Sequence, residues 1–397
     1  MPSEFDVIVL GAGAAGMMAA IEAGKRGRAV LVVDHAQQAG EKIRISGGGR
    51  CNFTNINATA ATARDRFVGA NPRFAISALS RYTPENFIAL VKAYGIAFHE
   101  KTLGQLFCDG PSTQIVNLLT AELQKASATL QLATTVDGVS KTDDGYSVAL
   151  SSGTARCRSL IVATGGKSIP KMGATNFAYR LAEQFGLAVT ETRPGLVPLT
   201  FEPSMLEKLA PLAGIATDVT VACGKRRFAE ALLFTHRGLS GPAILQISSY
   251  WREGDAISID LLPKLDVVAM LKQARTETPK LALQTVLAAH LPKRLAQMLA
   301  EDIGLPGMIG DFSDKKLVEI ERALRDWTIK PVSSEGYRTA EVTLGGIDTA
   351  GLDAKTLMAK AVPGLYFVGE AVDITGWLGG YNFQWAWASG WSAGQAA

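Results

Sequence analysis

The sequence predicts an α/β fold in which one domain is assembled from both ends of the chain and a second domain is inserted between them. Short, continuously apolar runs, typical of strands buried on both faces of a parallel sheet, occur near both ends of the 397-residue chain. Glycine follows the same distribution: of the 40 glycines, residues 1–50 hold 9 and residues 338–397 hold 10. We therefore predict a main domain over 1–192 and 338–397 and an inserted domain over 193–337.

The inserted segment has a different pattern from the two ends. Strand-like pieces separated by turns predict a β-rich part over 193–262. Helical patterns with prolines at their boundaries predict a helical part over 263–337. Glycine returns to an average frequency here, with 10 in residues 195–336.

Composition excludes several classes of protein. Apolar residues make up 47% of the chain, which is ordinary for a globular protein, and 40 basic residues against 37 acidic ones give a net charge of +3. So small a net charge argues against a protein that binds mainly nucleic acid. The 4 cysteines lack CxxC spacing, which argues against a disulfide scaffold, a metal site or a redox-active disulfide and favours the cytoplasm. The apolar run at 7–21 follows acidic residues and is shorter than the ~20 residues that span a bilayer, so we predict no membrane association.

Residues 5–34 predict a strand, a helix and a second strand, which together form a βαβ unit. The turn after the first strand reads GAGAAG: Gly11 allows the tight turn, Gly13 lets backbone approach a pyrophosphate, and Gly16 lets the helix pack against the strand. Asp34 ends the second strand, where its carboxylate can bind the ribose hydroxyls of an adenosine. The pattern predicts nucleotide binding, and the alternative is a tight turn without a ligand. His35 is either an adenosine contact or a surface histidine.

A second glycine-rich stretch occupies residues 40–55. Three successive glycines follow Ser46, and Lys42, Arg44 and Arg50 add positive charge suited to a phosphate or to a reduced, anionic ring. The density of Arg, Cys, Asn and Thr favours a functional loop over a flexible linker. Cys51 reads as a buried small thiol rather than a reactive one.

A third glycine-rich stretch, residues 369–390, runs from a strand through a glycine-rich loop into a helix whose N-terminus would face a ligand. Asp373 and Asn382 are candidates to bind a ribityl chain or a pyrophosphate. We predict that Trp385 and Trp387 pack in the core.

The inserted segment contains one unusual string, FTHRGLSGP, at residues 234–242. Its His236 is a candidate acid–base group or substrate contact. The equally good alternative is a turn held by local hydrogen bonds.

Together these stretches resemble the flavoproteins of glutathione-reductase type, in which an N-terminal GxGxxG, an Ala-Thr-Gly strand end and a late strand ending in Gly-Asp or Gly-Glu bind one FAD. More closely, the chain resembles the BaiN-like, aminoacetone-oxidase-like family of NAD(P)/FAD-dependent oxidoreductases. The matching stretches are 42–55 (KIRISGGGRCNFTN), 234–242, 342–346 (VTLGG) and 364–390. The resemblance implies a Rossmann-like FAD-binding domain with an inserted β-barrel plus helical domain, and a flavin bordered by 46–52 and 380–384.

We accordingly predict FAD as cofactor and no metal. The predicted cofactor-binding residues are Gly11, Gly13, Ala14, Ala15, Gly16, Asp34, His35, Lys42, Ser46, Gly47, Gly49, Arg50, Cys51, Asn52, Val136, Ala163, Thr164, Gly165, Gly369, Glu370, Asp373, Gly380, Tyr381, Asn382 and Phe383. The predicted catalytic residues are His236, Arg50 and Asn382.

The predicted function is an FAD-dependent oxidoreductase that transfers a hydride between a small-molecule substrate and the flavin. The sequence leaves open whether NAD(P)H donates electrons or oxygen accepts them, and it leaves the oligomeric state open. Two alternatives are an NAD-binding dehydrogenase without flavin and a flavoprotein acting on nucleic acid. The near-neutral charge disfavours the latter, so we predict a small-molecule partner and no nucleic acid.

Overall fold

The computed structural model describes residues 3–397 and divides the chain into two compact units, 1–194 with 341–397 and 195–340. Within the described residues, the strands that precede the second unit are β1 (Ser3–Leu10), β2 (Val30–Val33), β3 (Asn52–Asn55), β4 (Phe67–Val68), β5 (Phe98–Glu100), β6 (Gln105–Cys108), β7 (Thr129–Gln131), β8 (Val136–Thr142), β9 (Gly145–Leu150) and β10 (Gly153–Val162). The helices of the same part are α1 (Ala14–Lys25), α2 (Glu41–Gly49), α3 (Ala63–Arg66), α4 (Ala75–Arg81), α5 (Pro84–Ala93), α6 (Thr113–Lys125) and α7 (Phe177–Gln184).

The remaining elements follow strand β11 (Arg193–Gly195) at the boundary between the units. The second unit contains β12 (Leu199–Thr200), α8 (Pro203–Leu209), β13 (Ala216–Cys223), β14 (Arg226–Thr235), β15 (Gly238–Ser240), α9 (Pro242–Ser248), β16 (Ile257–Asp260), α10 (Val267–Glu277), α11 (Leu283–Leu287), α12 (Lys293–Ile303), α13 (Asp314–Arg325), β17 (Trp327–Ile329) and β18 (Ser333–Ser334). The chain then returns to the first unit with β19 (Val342–Leu344), β20 (Leu365–Phe367), β21 (Thr375–Gly376) and α14 (Tyr381–Gly394).

The first unit is built on a parallel sheet in the order β7-β2-β1-β10-β20, to which β9 and β8 add antiparallel strands beside β10. The register aligns the strand ends: Leu10 pairs with Val33 and with Val162, and Val162 pairs with Phe367. Strands β1 and β2 are buried along 7–10 and 30–33, as their continuous apolar runs predict. The loops that follow the four aligned strand ends therefore start at one edge of the sheet.

The first and last helices of the described chain, α1 and α14, pack against each other through glycine. A Cβ added to Gly390 would lie 2.3 Å from the carbonyl oxygen of Ala15, and one added to Gly394 would lie 2.4 Å from that of Ala19. No other residue permits this approach, because a side chain there would overlap the backbone of α1. The two ends of the chain thus form one unit, and helix packing explains part of the glycine excess near its C-terminal end.

Four further sheets are formed by the described residues, and two of them are only two-stranded, pairing β11 with β19 and β21 with β4. In the first unit, β3, β6 and β5 form a small antiparallel sheet. In the second unit, strands in the order β17-β16-β13-β14-β15-β12-β18 form an antiparallel sheet accompanied by helices α8 to α13.

One stretch differs locally from its predicted secondary structure. The helical pattern over 73–98 becomes α4 and α5 and ends before β5, because Gly95 adopts φ +64° and terminates the helix. Among residues 3–397, no helix is both long enough and apolar enough to cross a membrane.

Candidate functional site

Four loops meet at the edge of the parallel sheet where β1, β2, β10 and β20 end. Their approach is very close: a Cβ added to Gly11 would lie 2.5 Å from the carbonyl oxygen of Ala163, and one added to Gly369 would lie 2.9 Å from the Cβ of Ala15. Ligands of open α/β sheets bind at this edge. The structure therefore brings together three of the predicted motifs, 11–16, 163–165 and 369–370.

The three glycines of the GAGAAG turn have different surroundings. Gly11 adopts φ +110°, and a Cβ added to Gly16 would lie 1.9 Å from the carbonyl oxygen of Gly11, so these two glycines are required by the fold. Gly13 is the N-cap of α1, and a Cβ added there would meet nothing within 4 Å. Gly13, followed by Ala14 and Ala15, is thus the point at which a ligand has room to reach the free amides of the helix.

Asp34 is fixed at the end of β2. Its carboxylate accepts hydrogen bonds from the backbone N–H of Ala12 (2.6 Å) and of Ala36 (2.9 Å), which ties it to the glycine turn. The half-exposed His35 places Nδ1 3.3 Å from the same carboxylate. The carbonyl of Asp34 also accepts from the N–H of Thr134 (2.9 Å), which brings the segment leading into β8 to this end of the site. That segment includes Val136, the first residue of β8.

The turn after β10 contains an unsatisfied polar atom. Thr164 Oγ1 is buried and has no hydrogen-bond partner among the described residues. Buried hydroxyls in proteins nearly always have a partner, so an orphan between Ala163 and Gly165 marks a place for a ligand or a water molecule.

An ion pair joins three of the converging loops. Lys42 Nζ donates to a carboxylate oxygen of Glu370 (2.7 Å) and to Ser168 Oγ (2.8 Å), and the other oxygen of Glu370 accepts from Ser168 Oγ (2.8 Å) and from Thr343 N–H (2.9 Å). Burial acts to raise the pKa of Glu370, but the Lys42 ammonium and these hydrogen bonds outweigh it and hold that pKa below its ordinary value. The side chain of Lys42 is one-third exposed.

Ser168 and Thr343 are site residues that sequence reasoning missed. Both contact Glu370, yet Ser168 lies 202 residues and Thr343 lies 27 residues from it in the chain. Thr343 stands inside the VTLGG stretch, which is the one signal that pointed to it.

The turn that opens α14 is held by side chains from the predicted set. Asn382 accepts from the N–H of Gly376 (2.8 Å) and donates to its carbonyl (2.9 Å), so both groups of its amide bind backbone. The carboxylate of Asp373 is buried and accepts from the N–H of Ala70 (2.9 Å). These contacts position the loop and fix the orientation of both side chains, and their contacts with a ligand stay a prediction.

Asn52 connects the second and third glycine-rich stretches. In the amide orientation that satisfies both of its polar groups, its oxygen accepts from the N–H of Gly380 (3.2 Å). A Cβ added to Gly380 would lie 2.4 Å from the carbonyl oxygen of Thr54, so the α14 turn presses against β3. At the start of α14, the hydroxyl of Tyr381 accepts from Arg66 (2.9 Å), and the ring of Phe383 stacks on Trp387 with centroids 5.7 Å apart.

The two tryptophans lie in the core, as predicted: Trp385 and Trp387 are almost completely buried. Their indole N–H groups donate to the carbonyls of Gly369 and Phe53, respectively (2.9 and 2.8 Å).

The glycine loop of the second stretch interrupts α2. Ser46 leaves the helical conformation, and Gly47 and Gly48 adopt positive φ, so Ser46 to Gly49 form the predicted loop rather than a regular helix. Arg50 is exposed, and its guanidinium makes no hydrogen bond or ion pair within residues 3–397. Cys51 is completely buried, as predicted for a small thiol in the core, and burial raises its pKa to about 12.

His236 lies in the second unit, in the exposed turn between β14 and β15. The turn is held by the hydroxyl of Thr235, which donates to the carbonyl of Gly238 (3.2 Å) and accepts from the N–H of Arg237 (3.2 Å). The string therefore forms a locally bonded turn, and it also presents an exposed imidazole.

These features define the class of the protein: an α/β Rossmann-like fold of the FAD-binding type, with additional sheets, as the sequence predicted. The chain belongs to the HI0933-like family, since the model of the HI0933-like protein Rossmann domain matches residues 5–396. The broad resemblance to an FAD oxidoreductase family is thereby confirmed, while the BaiN-like, aminoacetone-oxidase-like subgroup stays a prediction.

Two curated relatives are similar over almost their whole length. A ribosomal RNA dihydrouridine synthase of Escherichia coli is 50% identical, with 98% of this chain and 97% of the relative covered. A protein of the same name from Haemophilus influenzae is 45% identical, with coverages of 97% and 96%. Among solved structures, 3-ketosteroid Δ1-dehydrogenase from Sterolibacterium denitrificans shares the fold with a TM-score of 0.54 at 14% identity, and 99% of each chain is covered.

These matches confirm that the protein is an enzyme and overturn part of the predicted function. A small-molecule substrate and the absence of a nucleic-acid partner are wrong, because the relatives at 50% and 45% identity are named for ribosomal RNA. The alternative of a flavoprotein acting on nucleic acid is the one that the relatives support. The prediction of no nucleic-acid partner failed because the net charge describes the whole chain and not the charges near one site.

Proposed function

We propose that this protein is a flavin-dependent reductase that converts a uridine of ribosomal RNA to dihydrouridine. The observation that carries the proposal is the 50% identity, over 98% of this chain, with a ribosomal RNA dihydrouridine synthase. A ribosomal substrate implies a cytoplasmic protein.

The residues present fit FAD as the resident cofactor. The open space at Gly13 admits a pyrophosphate to the amides of α1, and the orphaned Oγ1 of Thr164 offers it a hydrogen bond. Asp34 would hold the adenosine ribose, and the 46–49 loop with the α14 turn would border the ring. When bound and reduced, FAD supplies a hydride.

The proposed reaction adds one hydride and one proton across the C5=C6 bond of the uracil ring. Because the C4 carbonyl polarises this bond, the hydride adds at C6 and the proton at C5, and the two electrons come from NAD(P)H as the external reductant. Charge develops on the carbonyl side of the ring, where a cation stabilises it. The free guanidinium of Arg50 is the candidate for this role, while Lys42 is held by Glu370.

His236 is the proposed proton donor for C5, supported by its exposed imidazole. Asn382 acts in this proposal as a positioning residue, because it holds the loop at Gly376 that leads into the α14 turn.

The test uses the purified holoenzyme with ribosomal RNA from a bacterial strain that lacks its own dihydrouridine synthase. Under anaerobic conditions with NADH or NADPH, we expect flavin bleaching and a gain of two hydrogens on uridine in nuclease digests analysed by mass spectrometry. Protein-free RNA and intact ribosomal subunits serve as separate substrates. A protein that is loaded with flavin and reduced, yet leaves uridine unchanged in both substrates, would disprove the proposed function.

A further inference from the structure

The hairpin between β5 and β6 carries an unusual residue at its tip. Leu103 is 58% exposed, the highest value among the large apolar side chains of the described residues. It also adopts φ +55°, in the left-handed region where glycine and asparagine are favoured and where a leucine is strained. A leucine that is both exposed and strained benefits neither the core nor the turn, and such strain concentrates at functional positions.

The tip is held rigidly in spite of this strain. The carbonyl oxygen of Leu103 accepts hydrogen bonds from the side-chain amides of Asn55 (3.1 Å) and Asn57 (3.2 Å). The turn is closed by backbone hydrogen bonds from Lys101 to Gln105 (2.9 Å) and from Gln105 to Thr102 (3.1 Å). The leucine side chain is therefore presented to solvent from a fixed backbone.

The same hairpin abuts the predicted flavin-ring end of the site. The amide of Asn55 donates a second hydrogen bond to the carbonyl of Gly379 (2.8 Å), directly before Gly380. A Cβ added to Gly379 would lie 2.7 Å from the side chain of Gln105, which places the base of the hairpin against this turn. Leu103 is thus connected through one side chain to the loop that opens α14.

The face of the hairpin beside Leu103 has the chemistry that unpaired RNA requires. The ring of Phe107 stacks with His99 (centroids 6.3 Å apart, 16° between planes), and Lys101 Nζ lies 5.4 Å from its centroid. Among the described residues, one carboxylate contacts this group: Asp109 Oδ1 lies 2.6 Å from His99 Nδ1. Aromatic rings next to cations bind single-stranded nucleotides by stacking and by phosphate contact.

A uridine in folded ribosomal RNA is stacked and commonly paired, so its C6 atom is inaccessible until the nucleotide leaves the stack. Enzymes that modify bases rotate the nucleotide out of the helix at a cost of a few kcal/mol. Apolar side chains such as leucine are inserted between bases in other complexes, where they fill the gap and stabilise the distorted nucleic acid.

We propose that Leu103 is the wedge that occupies the gap left by the extruded uridine, and that the face formed by His99, Lys101 and Phe107 holds a flanking nucleotide. This inference rests on the proposed function and assigns its RNA-engaging element. The occupant is an RNA nucleotide and not a protein, because the face pairs an aromatic ring with a cation.

The decisive variant is Leu103→Asn in the full-length holoenzyme. Asparagine accepts the left-handed conformation better than leucine, so the fold is preserved while the apolar wedge is removed. We expect kcat on folded ribosomal RNA to fall ~10–100-fold, since stabilisation of the extruded state is lost. The Kd for RNA and its salt dependence should stay close to wild type, because an uncharged leucine neutralises no phosphate. The flavin content and the rate of flavin reduction by NAD(P)H should also stay close to wild type.

Three controls make the result specific. Leu103→Met, which keeps an apolar side chain, should retain most of the activity. Lys101→Gln should show the opposite pattern: weaker RNA binding, a slope of log K against log salt concentration that is smaller by about 1, and a smaller change in kcat. Val318→Ala, at a 45% exposed valine on α13, should match wild type.

Each remaining outcome counts against the wedge. Wild-type kcat in Leu103→Asn would overturn it, and so would a loss of kcat accompanied by loss of flavin, since that would show a structural role. An inactive wild-type enzyme would instead disprove the proposed function and the wedge together.

Discussion

Replacement of Gly13 by valine should remove the flavin while leaving the apoprotein folded. A Cβ at this position meets nothing within 4 Å, and Gly13 has φ −85°, which any residue adopts, so a side chain can be attached here without backbone strain or a clash at Cβ. In the holoenzyme the same side chain would occupy the space through which the pyrophosphate reaches the amides of α1. Gly13→Val therefore tests whether flavin binding needs a glycine at this position while the apoprotein still folds.

The expected magnitudes differ for the two requirements. Valine is a poorer N-cap than glycine, which costs the apoprotein ~0.5–1 kcal/mol. Displacing a phosphate from two backbone amides forfeits about 3–6 kcal/mol, because a hydrogen bond to a charged group contributes ~1.5–3 kcal/mol. The Kd for FAD should accordingly rise ~10²–10⁴-fold.

The assay compares Gly13→Val with Gly16→Ala, a matched glycine in the same motif. The visible absorption of purified protein reports flavin content, titration calorimetry of apoprotein with FAD reports Kd, and thermal denaturation reports stability. Gly16→Ala should fail to fold normally, because its Cβ would lie 1.9 Å from a carbonyl oxygen. If Gly13→Val purifies with full flavin, the placement of the pyrophosphate at this turn is refuted.

Three further predictions concern ionisable groups. Burial tends to raise the pKa of Glu122, but hydrogen bonds from Tyr94 and two lysines hold it at about 2, so Glu122 stabilises the fold above its ordinary pKa near 4.5 and loses this effect as pH falls towards 2. Because both lysine partners are exposed to solvent, Glu122→Gln should lower the free energy of unfolding at pH 7 by only about 1 kcal/mol and flatten its pH dependence below 4.5, as measured by denaturant titration. Glu370→Gln should leave Lys42 without a charge partner and lower both Tm and flavin content. An unchanged Tm would argue against a stabilising role of the Lys42–Glu370 ion pair. In native protein Cys51 should resist thiol alkylation at pH 8, and rapid labelling would contradict its burial.

Much of the first unit could be predicted because its signals are local. The continuous apolar runs of β1 and β2 and the GAGAAG turn between them specify a βαβ unit within 30 residues, and parallel register then brings Gly11, Asp34 and Ala163 to one edge. Gly11 and Asp34 are placed by this local unit alone, whereas Ala163 joins them through the pairing of β1 with the distant strand β10.

Long-range partners could not be predicted in the same way. Nothing in the sequence indicates that Lys42 pairs with Glu370, which lies 328 residues away. Nor does the sequence indicate that both polar groups of the Asn382 side-chain amide bind the backbone of Gly376. The sequence also does not distinguish a glycine that leaves room for a ligand from a glycine that lets two helices pack closely. Gly13 faces open space and Gly390 faces the carbonyl of Ala15, and only the fold distinguishes them.

Net charge fails to indicate an RNA substrate for the same reason, since a count of charged residues does not show which of them are paired in the fold. The count of 40 basic residues gives Lys42 and Arg50 equal weight, yet Lys42 is neutralised by Glu370 at 2.7 Å while Arg50 is unpaired within the described chain. An enzyme that acts on one nucleotide needs few free cations at its site, together with stacking and apolar contacts such as those of Phe107 and Leu103. Such a surface binds RNA with a shallow salt dependence, because few phosphates are neutralised. A slope of log K against log salt no steeper than about −3 would agree with this reasoning, whereas a slope near −10 would require a basic surface that this site does not provide.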